Sequence, residues 1–192
     1  LRGKWTMWER LSDRDYKVIK KQEVVDEELY DIILLNNNEY ALSTDNCLRF
    51  FNIETYQNVS TIYDLKFIQK NNIAKINDNI IGIILNQEIG LVDINDKVIL
   101  NKIKVYGGHL SSINVLFKDN SLLTVLSNNS KKDISKIIYK RFDTIGNKLE
   151  LKSERIDTFR KKDEKDYYRI ISLFQLRNGN IVTGISGLEE QK

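Results

Sequence analysis

Leu29-Tyr30-Asp31-Ile32-Ile33-Leu34-Leu35, then Asn36-Asn37-Asn38-Glu39, then Tyr40-Ala41-Leu42-Ser43, Thr44-Asp45-Asn46 and Cys47-Leu48-Arg49-Phe50-Phe51-Asn52-Ile53 make one continuous stretch. Its apolar runs have strand length. The segments between them are rich in Asn and Asp, which tolerate left-handed backbone and hydrogen-bond their own main chain. Three short antiparallel strands joined by two tight turns follow from that pattern. Such a meander cannot bury both of its faces alone.

The sequence then writes the stretch again. Phe51-Asn52-Ile53 is matched 41 residues on by Val92-Asp93-Ile94 and a further 50 on by Phe142-Asp143-Thr144. Trp8-Glu9-Arg10 lies 43 residues before it. The first turns keep step as Asn36-Asn37-Asn38, Asn77-Asp78-Asn79, Lys118-Asp119-Asn120 and Arg177-Asn178-Gly179. A period of roughly 40 to 45 residues with four strands per unit is the period of propeller blades. The expectation is an all-β chain, a β-propeller of four-stranded antiparallel blades, covering about four blades of a larger ring. Apolar strands at this spacing also suit a sandwich or a jelly roll, which would pair strands across copies into two stacked layers.

The third copy carries a family resemblance. Gly108-His109-Leu110-Ser111-Ser112-Ile113-Asn114-Val115-Leu116-Phe117 resembles the opening of a WD repeat, a Gly-His pair followed by the innermost strand. Ile138-Tyr139-Lys140-Arg141-Phe142-Asp143 occupies the place of the Trp-Asp pair. Only this copy has Gly-His, and Val or Phe stands where the family has Trp. The resemblance implies a structural network in which His109 bonds an acidic residue of the turn between second and third strands. Asp133 fills that place in the third copy and Asp45 in the first. It also implies a eukaryotic intracellular protein, cytoplasmic or nuclear, that binds other proteins in a multi-subunit complex.

By blade arithmetic, residues 1–25 are the end of one blade, and 26–65, 66–106 and 107–154 are blades. Residues 155–169 are a charged inter-blade loop and 170–192 the start of a further blade. Rings close with about four to eight blades, and open arcs leave raw strand edges, so a piece of a longer chain is expected. Lys4 to Glu9 reads as a third strand and Lys17 to Gln22 as an outer fourth. In the third blade, Ser127 to Asp133 reads as a lengthened middle turn.

Thirty basic and 27 acidic residues leave a net charge of +3, a mild excess and not a nucleic-acid footprint. A single cysteine, Cys47 in an apolar strand, excludes an internal disulfide framework and fits a reducing compartment. No apolar run reaches the roughly 18 residues of a membrane span. There is no Pro, and Asn takes turn positions where Gly is usual.

The chain is poor in chemistry. It has one His, no nucleophile elbow, no Gly-rich phosphate loop and no Cys or His ligand spacing. The expectation is no enzyme, no metal and no cofactor. Residues 155–169 hold six basic, four acidic and three aromatic residues. Arg160, Lys161, Lys162, Tyr167 and Tyr168 are its candidate partner-binding residues, because loops on a rigid scaffold are where recognition sits. Two functions follow: a non-catalytic protein–protein interaction scaffold, or a nucleic-acid or ribonucleoprotein-binding propeller using that segment.

Overall fold

The computed structural model describes residues 3–10, 16–24, 28–67, 72–115, 119–131, 134–160 and 167–188. All regular structure among them is strand. β1 (Gly3–Arg10) and β2 (Tyr16–Val24) form a two-stranded sheet. The first complete sheet is β3 (Leu29–Leu34), β4 (Glu39–Thr44), β5 (Leu48–Asn52) and β6 (Asn58–Ile62). The second is β7 (Ile73–Lys75), β8 (Ile80–Leu85), β9 (Glu88–Asp93) and β10 (Val98–Lys104). The third is β11 (His109–Val115), β12 (Leu122–Lys131), β13 (Ile134–Ile145) and β14 (Lys148–Arg160). β15 (Tyr167–Gln175) and β16 (Ile181–Leu188) make a final pair.

Every sheet is an antiparallel meander of sequence neighbours, and among the described residues no strand pairs across copies. The first strands β3, β7, β11 and β15 lie side by side, and β10 lies against β14. This is a fan of blades, and it rules out the two stacked layers of a sandwich.

The repeat persists down to single hydrogen bonds. The Asn36 side-chain oxygen accepts from the Asn38 and Glu39 amides, both at 2.8 Å. Forty-one residues on, Asn77 accepts from Asn79 and Ile80, both at 2.9 Å. Asn52 and Asp93 each accept from the amides two and three residues ahead. Tyr56 and Lys97 then take the same left-handed conformation, φ 58° and 56°. Bulges repeat too. A register shift falls at Phe50/Phe51 and Arg141/Phe142 in the pairing of third with fourth strands, and one falls at Met7/Trp8 in the pairing of β1 with β2. Another falls at Leu29/Asp31, Leu110/Ser112 and Ile170/Ser172 in the pairing of first with second.

Alternation along the middle strands feeds two seams. Ile81, Ile83 and Leu85 join Ala41, Leu48 and Phe50 in the core between the first and second blades. Ile84, Ile89 and Leu91 join Leu122, Leu126 and Ile138 in the core between the second and third. A strand covered on both faces must be apolar at successive positions, which is why these segments read as near-continuous apolar runs.

The third blade departs from two expectations. Ser127 to Lys131 are strand and not turn, because β12 runs on to Lys131, and the remaining two residues of the expected turn lie outside the described residues. Residues 155–160 are not loop, since β14 continues to Arg160 and pairs Asp157 with Ile137 and Phe159 with Ser135. β15 already begins at Tyr167. The physical reason is period two: Ile137 and Leu173 are buried in one cluster, with Phe159 packed against it. Charged residues between those apolar ones made a strand resemble a solvated loop.

Candidate functional site

The two ends of the blades differ in kind. At one end lie the Asn-rich turns. At the other, the connectors between blades lean on the turns between second and third strands: Leu65 N donates to Asn46 O (3.0 Å), Val105 N to Gln87 O (2.9 Å) and Asp45 N to Glu28 O (3.1 Å). Those bonds tie Leu65, Val105 and Glu28 of the connectors to the blade ends. On the connectors, buried Leu65, Phe67 and Val105 anchor the chain while Tyr63 and Tyr106 stand 67% and 71% exposed. Two tyrosine rings held in water by a rigid backbone cost little further entropy to dock, which suits aromatic interface anchors. Beside Tyr106 is a hollow of about 230 Å³ lined by Gln87, Val105, Gly107 and Gly108.

Gly108 shows why the Gly-His pair needs its glycine. A Cβ there would sit 2.4 Å from the Ser127 carbonyl oxygen, and Gly107 beside it has φ +116°. Asn128 clamps the same spot, donating to Gly107 O at 2.7 Å. His109 opens β11 opposite Ser127. Asp133 lies outside the described residues, as do Lys161 and Lys162. Asp45 sits in the β4–β5 turn of the first blade and accepts from Asn46 Nδ2 at 2.9 Å. Arg160 ends β14, while Tyr167 and Tyr168 open β15, opposite Leu188 and Gly187.

Sequence reasoning missed the polar links that pin the first seam at both ends. Toward the connectors, Asp31 Oδ2 accepts from the Asn72 amide at 3.1 Å and the Ile73 amide at 3.3 Å. Ser43 Oγ donates to the Asn72 side-chain oxygen at 2.8 Å. Burial raises the Asp31 carboxyl above its ordinary range, against the lowering effect of the amides that point at it. Toward the Asn turns, Lys97 Nζ lies 2.6 Å from Glu39 Oε2, donates to Ile94 O, and stands 4.7 Å from the centre of the Phe50 ring. On the opposite face of the first blade, Tyr40 stacks on Phe51 at 5.2 Å, and burial, with Tyr56 nearby, pushes the Tyr40 phenol up to about 12. A lone polar residue inside an apolar run was the available signal for Asp31 and Ser43.

A second concavity, of about 530 Å³, lies between the outer half of the third blade and β16, against Leu123, Tyr139, Arg141, Arg155, Ile181 and Thr183. The basic side chains around it are matched by acids. Arg141 meets Asp119, Lys140 lies 2.8 Å from Glu154, Lys152 lies 2.8 Å from Asp143 and Arg155 lies 3.0 Å from Asp157. Among the described residues no group of three His, Cys, Asp or Glu could hold a metal ion, and no helix is long and apolar enough to cross a membrane.

No protein-family model matches this chain, and no curated protein matches it. Among solved structures it is similar to the crystal structure of the WD40 β-propeller domain of Doa1. The likeness has a TM-score of 0.61 at 12% identity over 92% of this chain. It spans 55% of that chain, about half its length. At that identity the likeness speaks for the fold, a propeller of four-stranded antiparallel blades.

Proposed function

We propose that this chain is a non-catalytic protein–protein interaction scaffold, a WD-repeat-like propeller serving as a subunit of a larger intracellular assembly. The observation that supports it is the connector face. Buried Leu65, Phe67 and Val105 fix the backbone there while Tyr63 and Tyr106 remain exposed. Propeller folds of this kind generally bind proteins and generally lack catalysis, which agrees with that face. The nucleic-acid reading rests on residues 155–169, of which Arg155 lies beside Asp157 while Lys161 and Lys162 lie outside the described residues. The basic residues of β13 and β14 named above sit beside carboxylates, so they offer phosphates little uncompensated charge.

The test is affinity capture from the source cell with the 192-residue chain and with its Tyr63→Ala/Tyr106→Ala double variant. The native chain is expected to retain a stoichiometric protein partner, and the variant to lose it by about 10-fold or more per anchor. Both tyrosines are exposed, so unfolding should be unchanged. A partner retained equally by both removes the connector face from the reading. Capture of nucleic acid that is lost on raising salt would favour the alternative.

A further inference from the structure

The connector face carries its charges unevenly. Around the first blade it is acidic. Exposed Glu28 and Asp64 flank the β4–β5 turn that holds Asp45. Asp45 N donates to Glu28 O at 3.1 Å, and Leu65 N, next to Asp64, donates to Asn46 O at 3.0 Å. The Tyr30 hydroxyl lies 3.5 Å from Glu28 Oε2, and burial together with the Glu28 and Asp45 charges raises that phenol. Lys66 is the cation described on the same connector, against those three carboxylates. At the second blade the charges offset, since Glu88 and Lys104 stand opposite each other across β9 and β10.

The third blade reverses the sign. β13 and β14 run for 12 and 13 residues, against 5 each for β5 and β6. Phe142 pairs with Leu122 as Phe51 pairs with Tyr40, yet β13 begins at Ile134 and β5 only at Leu48, so the added length rises on the connector side. One face of that rise looks onto Gly107, where a Cβ would lie 3.2 Å from Ile138 Cδ1. Along it run the cross-strand rows Leu126–Ile138–Ile156 and then Asn128–Lys136–Thr158. Ile156 is 48% exposed. Asn128 and Thr158 are the cross-strand neighbours of Lys136, so no carboxylate opposes that cation in the sheet. At the foot of this face lie Tyr106 and the hollow of about 230 Å³.

We propose that the connector face takes a segment of a partner protein that is basic at one end and acidic at the other, with an apolar side chain between. This rests on the scaffold reading above and names what the partner presents. Charge complementarity sets the direction. Lysines or arginines of the segment lie over Glu28 and Asp64, with Asp45 behind them, and the exposed Tyr63 ring adds a cation–π surface. The apolar side chain enters the hollow beside Tyr106, and the carboxylates of the other end meet Lys136. Each exposed ion pair is weak alone. Opposite signs at the two ends nevertheless fix the register of the segment and disfavour segments of uniform charge.

Fluorescence anisotropy with labelled peptides built around a central Leu pair tests this on the 192-residue chain. One peptide has lysines at one end and glutamates at the other, one has lysines at both ends, and one has glutamates at both. The mixed peptide is expected to bind about 10-fold more tightly than either uniform one, a preference that shrinks as salt is added. Glu28→Lys/Asp64→Asn should transfer the preference to the glutamate peptide, and Lys136→Glu to the lysine peptide, with the β-sheet circular dichroism unchanged. Asn is used at position 64 because that backbone is left-handed, φ 61°. No binding by any of the peptides, equal binding by all, or a preference that neither variant transfers would each overturn the proposal. If the partner is still lost from the Tyr63→Ala/Tyr106→Ala chain in that case, the scaffold reading stands without it. A partner retained by the tyrosine variant would end both.

Discussion

The seam between the first and second blades and the seam between the third blade and β15–β16 use one meander with opposite results. The first is closed: buried side chains from β4, β5, β8 and β9 fill it, and Asp31–Asn72 and Lys97–Glu39 pin its two ends. In the second, the buried apolar side chains among the described residues are Leu123, Val125, Ile137 and Leu173, and a cleft lies outside them. Both have first and second strands facing a complete blade. Among the described residues, the first seam has third and fourth strands on both sides, whereas the second has β15 and β16 opposite the third blade.

The same truncation placed in each seam should expose that difference most strongly. Leu48→Ala removes a fully buried side chain from the closed seam, where nothing can collapse into the hole. A loss of about 4 kcal/mol is expected by urea unfolding. Leu173→Ala truncates the buried cluster whose Leu123 and Tyr139 line the cleft and should cost about 2 kcal/mol, because its surroundings relax or hydrate more easily. Equal losses would mean that the second seam is packed as densely as the first.

Gly108→Ala tests the contact that ties the third blade to its connector. Its Cβ meets a main-chain oxygen and not a flexible side chain, so the backbone must shift. About 2 kcal/mol of destabilisation is expected. Lys97→Ala should cost about 1.5 kcal/mol, read by the same unfolding, since it leaves Glu39 half-buried without its cation and strips the Phe50 face. Added salt should narrow the Lys97 difference only slightly, because a poorly exposed pair is poorly screened.

The architecture was legible because turn chemistry is local. Asn36, Asn77, Asn52 and Asp93 bond amides two and three residues away, so sequence spacing alone encodes them. The long third blade was hidden because Arg155-Ile156-Asp157-Thr158-Phe159 carries charge on a strand whose apolar partners, Ile137 and Leu173, are distant in sequence. The seam pins were hidden for the same reason: Asp31 meets Asn72 and Ile73, and Lys97 meets Glu39, across separations no local pattern records. The exposed tyrosines give no sign in composition. They stand out only once their buried neighbours Leu65 and Val105 are placed.

The smallest expected effect belongs to the other pin. Burial raises the folded Asp31 carboxyl above the 3.8 of the free group, even though three amides favour its charged form. A raised folded value means that its contribution to stability is present in full below 3.8 and is lost as pH rises through that folded value. Asp31→Asn removes the titration but retains an acceptor for only part of the amide set, so it should be less stable by about 1 kcal/mol in acid. The gap between native chain and variant should then narrow as the pH is raised above 3.8 and stay level beyond. Paired unfolding curves across the acid range read it directly, since every other carboxylate is common to both proteins. A gap that widens with pH would mean that the amides outweigh burial, and that the closed seam is held by an ion and not by a desolvated acid.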